Sequence, residues 1–105
     1  MEILNEQTKN ALKTLAGVNE ITETIGSRQG IEFNFKNSQK ANFAKIVEYT
    51  VNGEERYILQ LRKRGISPIT QEEQDKLVFE SVVKPQEIEE VFQKQTGIFL
   101  NYMGV

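Results

Sequence analysis

Acidic side chains gather in three places along this sequence, as Glu54-Glu55, Glu72-Glu73 and Glu87-Glu89-Glu90. Two carboxylates held at a set separation across a cleft are what glycoside hydrolysis needs. Each of these clusters, however, falls at a turn or a helix start, where acids serve solubility and the helix dipole. Asp75 is the one aspartate, and magnesium sites for phosphoryl transfer draw on several carboxylates close together. The chain has no histidine and no cysteine. That removes the usual general base, the Ser-His-Asp arrangement, the thiol nucleophile, zinc-thiolate sites and any disulfide framework. Ser27, Ser38, Ser67 and Ser81 therefore have no imidazole to activate them. The glycines at 17, 26, 30, 53, 65, 97 and 104 each stand alone, so no phosphate-cradling loop is present. No metal and no cofactor is expected, and the chain reads as a non-enzyme. An enzyme working with glutamate and tyrosine alone is the remaining catalytic alternative.

The constellation with binding content is basic and aromatic. Phosphate recognition wants Arg and Lys on one surface, and single-stranded nucleic acid adds aromatic platforms for stacking. The segment from Phe43 to Arg64 carries Phe43, Lys45, Tyr49, Arg56, Arg62 and Arg64, with Lys63 between the last two. Aromatics on a sheet with flanking cations follow the logic of RNA-recognition modules, but the RNP1 pattern is absent. The plain alternative is cross-strand packing, in which Arg stems cover the aromatic rings while their heads stay wet. A protein partner is the first binding reading and nucleic acid the second.

The elements that must position these residues follow from periodicity and turn chemistry. Residues 2–16 are predicted helical, with Leu4, Ala11, Leu12 and Leu15 on one side and Gly17 as a stop; Thr8 also falls on the apolar side. Residues 18–25 fit either a helix or an extended chain. Ile31-Glu32-Phe33-Asn34-Phe35-Lys36 alternates strictly and predicts a half-buried strand. Asn52-Gly53 is the strongest short hairpin signature, because both central positions need positive φ. A two-residue loop there makes paired positions sum to 105, so Ala44, Ile46, Tyr57, Leu59 and Leu61 share a core face. Phe43, Lys45, Val47, Tyr49, Arg56, Ile58 and Arg62 then share the other face.

Thr70-Gln71-Glu72-Glu73 has the form of a capping box, while Leu77-Val78-Phe79-Glu80-Ser81-Val82-Val83 is rich in β-branched and aromatic residues. A helical turn at 70–75 followed by a strand at 76–83 is favoured over a helix throughout. Pro85 suits the first position of a second helix, closed by Gly97. Ile98, Phe99, Leu100, Tyr102 and Met103 either add a strand, pack as a tail on the core, or meet a second copy as a homodimer interface. The expected architecture is a single α+β domain over 1–105: an antiparallel sheet of about four strands with the N-terminal and C-terminal helices on one face.

With 38% hydrophobic and 27% charged residues, the chain suits a globule and is too apolar for wholesale disorder. Its net charge of −2 conceals a basic middle (31–65) and an acidic last third (66–105). That asymmetry either steers a partner or reflects a basic sheet neutralised by an acidic helix. The apolar runs are far shorter than the roughly 20 residues of a membrane span. The opening Met1-Glu2-Ile3-Leu4-Asn5-Glu6 has neither the basic nor the apolar region of a secretory signal. A cytoplasmic protein is expected, and the Lys-, Asn-, Glu- and Ile-rich usage suggests a bacterial or phage source. The function expected is that of a small non-enzymatic regulator, inhibitor or accessory protein that binds a protein partner through an open sheet face or edge.

Overall fold

A computed structural model describes residues 3–24, 26 and 28–100. Helix α1 (Glu6–Leu15) is followed by strands β1 (Ile21–Glu23), β2 (Gly30–Asn34), β3 (Phe43–Glu48), β4 (Tyr57–Ile66) and β5 (Glu73–Val83). A 3₁₀ turn at Pro85–Glu87 leads into α2 (Ile88–Thr96). The strands form one sheet in the order β1-β2-β3-β4-β5, each antiparallel to its neighbour. The α+β class and the antiparallel sheet are as expected, but the strands number five among the described residues. The extra one is β1: at 18–25 the threonines and isoleucines settle on an extended chain, which pairs Thr22 with Glu32.

Helix α1 starts where Asn5 caps it, its Oδ1 accepting from Thr8 N–H at 2.8 Å. It stops at Gly17, whose φ of +63° reverses the chain. Thr8 is buried, and its hydroxyl donates to Glu89 Oε2 of α2 at 3.0 Å. Helix α2 is entered as Pro85 predicts, with Lys84 N–H donating to the Glu87 carboxylate at 2.9 Å, and it is closed by Gly97 at φ +80°.

The hairpin register is the one that the Asn-Gly turn dictates. Val51 and Glu54 exchange main-chain bonds of 3.0 and 2.8 Å around Asn52 (φ 52°) and Gly53 (φ 79°). Ala44 faces Leu61, Ile46 faces Leu59 and Glu48 faces Tyr57. Gly53→Ala is expected to cost about 1 kcal/mol through left-handed strain alone, since a Cβ there meets nothing within 4 Å; urea titration of the two chains checks it.

Phe33, Phe35, Ala44, Ile46, Tyr57, Leu59 and Leu61 are all buried, and they join Leu12 of α1, Ala16 just after it, and Ile88 and Phe92 of α2 in one cluster. Ile98 and Leu100 belong to the same cluster. They lie on a non-strand tail whose Leu100 N–H is accepted by the Gln93 side chain. Tyr102 and Met103, read with that tail from the sequence, lie outside the described residues.

The largest departure from expectation is at 67–76. The helical turn expected at 70–75 does not form: a single α-turn closes earlier, with Gln71 N–H donating to Ser67 O at 2.8 Å around residues 68–70, and β5 starts at Glu73. Ser67 organises the reversal, its Oγ accepting from the N–H of Ile69 and of Thr70, both at 3.3 Å. Ser67 N–H also donates to Glu72 O at 2.9 Å. The Thr-x-x-Glu box therefore sits in a turn between strands and caps nothing. Because β3 pairing ends at Phe43–Arg62, β4 and β5 continue past it as a two-stranded arm. Asn42 stands in for the missing third strand at the arm's base. Its Nδ2 donates to Arg64 O at 2.6 Å and its Oδ1 accepts from Arg64 N–H at 2.8 Å.

Candidate functional site

The face of the sheet opposite the core carries the residues singled out for binding. Antiparallel register arranges them in rows that cross the strands. Val47, Ile58 and Val82 form an apolar row; Glu32, Lys45, Gln60 and Glu80 form a polar one; Asn34, Phe43 and Arg62 form a third. Beyond Arg62 the row meets a bulge, with Leu61 opposite Phe79 but Arg62 opposite Leu77, so Val78 is the extra residue. The bulge restores the alternation that puts Asp75 opposite Arg64 on the same face.

Each predicted cation of this face has an acid beside it. Arg62 Nη1 lies 3.2 Å from Asp75 Oδ1, and Arg64 Nε lies 3.7 Å from Asp75 Oδ2. Arg56 Nη2 lies 2.6 Å from Glu54 Oε2, and Lys45 is directly opposite Glu32. The neutralising acids thus come from β2, the hairpin turn and β5. Glu87 and Glu89 of the acidic C-terminal segment are engaged with Lys84 N–H and Thr8.

The aromatics are covered in the way cross-strand packing implies. The Arg64 guanidinium sits 4.5 Å from the Phe43 ring centroid, and Phe43 is buried. Arg28, not singled out from the sequence, lies 5.0 Å from the Tyr49 ring. Phe43, Lys45, Arg62 and Arg64 share the open face of the strands, while Tyr49 and Arg56 sit just past the strand ends, joined by Tyr49 N–H donating to Arg56 O at 2.8 Å. The Asp75 ion pairs are half-exposed, so Asp75→Asn is expected to shift stability by less than about 1 kcal/mol, read from denaturation midpoints at low and high salt.

The glutamate clusters are kept apart. Glu54 and Glu55 sit at one end of β4, where Glu55 accepts from Tyr57 Oη at 3.1 Å, and Glu72 and Glu73 belong to the arm at the other end. A cleft of about 560 Å³ between α1 and β1–β2 has Glu6, Glu20 and Glu23 interspersed with Lys9 and Lys13. Among the described residues no group of three or more acidic side chains is gathered so as to hold a metal ion. None of the described helices is long and apolar enough to cross a membrane.

Sequence reasoning named a sheet edge as a partner surface but did not place it on a strand. β1 is three residues long and β5 is eleven, so among the described residues β5 is the extended free edge. Leu77, Val78 and Val82 on it are 45%, 39% and 48% exposed. The C-terminal segment named for a homodimer contact is arranged differently. Ile98 and Leu100 are buried in the chain's own core, and of the three only Phe99, at 65%, faces solvent. The signal for the edge was present in the unbroken apolar run 77–79, but edge position depends on topology.

Among the described residues, the fold and this surface define an α+β arrangement with a five-stranded antiparallel meander, one long free edge and a projecting arm. No protein-family model, no curated protein and no solved structure matches the chain.

Proposed function

We propose that this chain is a small non-enzymatic interaction module, a cytoplasmic regulator, inhibitor or accessory protein, whose protein partner adds an extended segment to β5. In this reading both helices cover the core face of the sheet, which leaves the β5 main chain and the open face to the partner. The observation that carries it is the eleven-residue edge with three exposed apolar side chains. Edge strands are ordinarily blunted by charges, bulges or short length. The guards on β5 are concentrated in its first half: Glu73, Asp75, Lys76 and the bulge at Val78. From Phe79 to Val83 the charged residue is Glu80 alone, so that half is where a partner strand pairs. Main-chain bonds would supply affinity there and alternate side chains specificity. Nucleic acid on the open face draws less support, because its cations already have acids beside them.

Affinity capture from the native host, with wild-type protein and Val82→Lys, tests the reading alongside light scattering. One partner retained by wild type and lost by a folded Val82→Lys protein is the expected result. A strict monomer that captures nothing, or capture indifferent to Val82→Lys, overturns it.

A further inference from the structure

The two sides of the β4–β5 arm differ in charge balance. On the open side Arg64 and Asp75 are paired. On the other side, which continues the core face beyond the helices, Lys63 lies directly opposite Lys76. Like charges placed directly opposite in an antiparallel pair repel, with Cβ atoms only about 5 Å apart. Among the described residues no acid pairs with either lysine. Lys63 Nζ donates to the main-chain oxygen of Gln39 at 3.4 Å, which tethers it to the loop carrying Lys40. The flanking rows are Leu61 with Phe79 and Gly65 with Gln74, all uncharged. The space over Gly65 is empty, since a Cβ built there meets nothing within 4 Å. All four arm residues, Lys63, Gly65, Gln74 and Lys76, are exposed.

We propose that this side of the arm is an anion site, in which Lys63 and Lys76 together hold a phosphate group above Gly65. A doubly charged tetrahedral anion balances the two uncompensated ammonium groups and offers each an acceptor oxygen. Lysine serves as a point-charge phosphate ligand of this kind. Gln74 supplies an amide donor beside the pair, and the empty volume over Gly65 is where the anion sits. The repulsion stored in the Lys–Lys pair makes occupancy favourable, because the ligand supplies the charge that the sequence omits. The shared chemistry is the phosphate group, whether free or in a phosphodiester backbone. The site does not depend on strand addition at β5.

Amide and lysine side-chain NMR spectra of the full chain, titrated with inorganic phosphate, pyrophosphate and a short oligothymidylate, test this against potassium chloride as control. The expected result is perturbation centred on Lys63, Gly65, Gln74 and Lys76 that disappears in a Lys63→Gln/Lys76→Gln double variant. Response to phosphate and pyrophosphate assigns a free anion. Response to oligothymidylate alone assigns a phosphodiester, with a log–log salt slope of about −0.7 for the one phosphate held. No response to any of the three, a response equal to that with chloride, or one that persists in the double variant overturns the proposal. The double variant relieves a repulsion, so it folds at least as well as wild type, which keeps the comparison clean.

Discussion

Phe92→Ala is expected to destabilise the protein by about 3–5 kcal/mol, as is typical when a buried aromatic is truncated. The ring is buried in the cluster, and its centroid lies 5.2 Å from that of Phe35, edge-on, and 6.1 Å from that of Phe33. Removing it leaves a cavity between α2 and β2 and breaks both aromatic contacts at once. Domains of this size hold about 5–15 kcal/mol in all, so the variant sits near its folding threshold. Phe99→Ala is the matched control: its side chain is exposed, and the expected change is within about 0.5 kcal/mol. Urea titrations followed by circular dichroism read both. A cost below about 1 kcal/mol for Phe92→Ala would mean that α2 does not hold the core face, and the case for the β5 edge as the surface left to a partner would go with it.

What could be read in the sequence was local. The strand at 31–36 and the hairpin across Asn52-Gly53 were legible because alternation and turn chemistry are properties of a few adjacent residues. Once the turn is set, Ala44 must meet Leu61 and Ile46 must meet Leu59. The arm was not legible, because Thr70-x-x-Glu73 is equally compatible with a helix start and a turn between strands. Ser67 decides between them through contacts with Ile69, Thr70 and Glu72. The bulge was hidden for a related reason: Leu77-Val78-Phe79 is apolar throughout, and an extra residue in such a run leaves no mark on the pattern. Asp75 shows what that concealed. Set aside as too solitary to hold a metal, it joins Arg62 and Arg64 once β4 and β5 are in register. The same register makes Lys63 half of an opposed lysine pair with Lys76.

Raising the pH from 10 to 12 is expected to remove about 2–3 kcal/mol of stability through Tyr57 alone. Tyr57 is buried against the core, and its phenol is pushed up from 10.0 to about 12. Burial is the largest cause, followed by the hydrogen bond its hydroxyl donates to Glu55 and by repulsion from the Glu55 and Glu48 carboxylates. Below pH 10 the phenol is protonated in folded and unfolded chains alike, and the contribution is fully present. Between 10 and 12 the unfolded chain ionises while the native one resists, so the unfolded state gains free energy that the native state cannot match. Above 12 both are ionised and the loss is complete. Tyr57→Phe removes the titration and costs about 1 kcal/mol at neutral pH for the lost hydrogen bond. Its stability curve should therefore start below that of the wild type and cross above it in alkali. Parallel curves for the two proteins across that interval would mean that the phenol is solvated in the native state, and that the Tyr57 end of the core face is open to water.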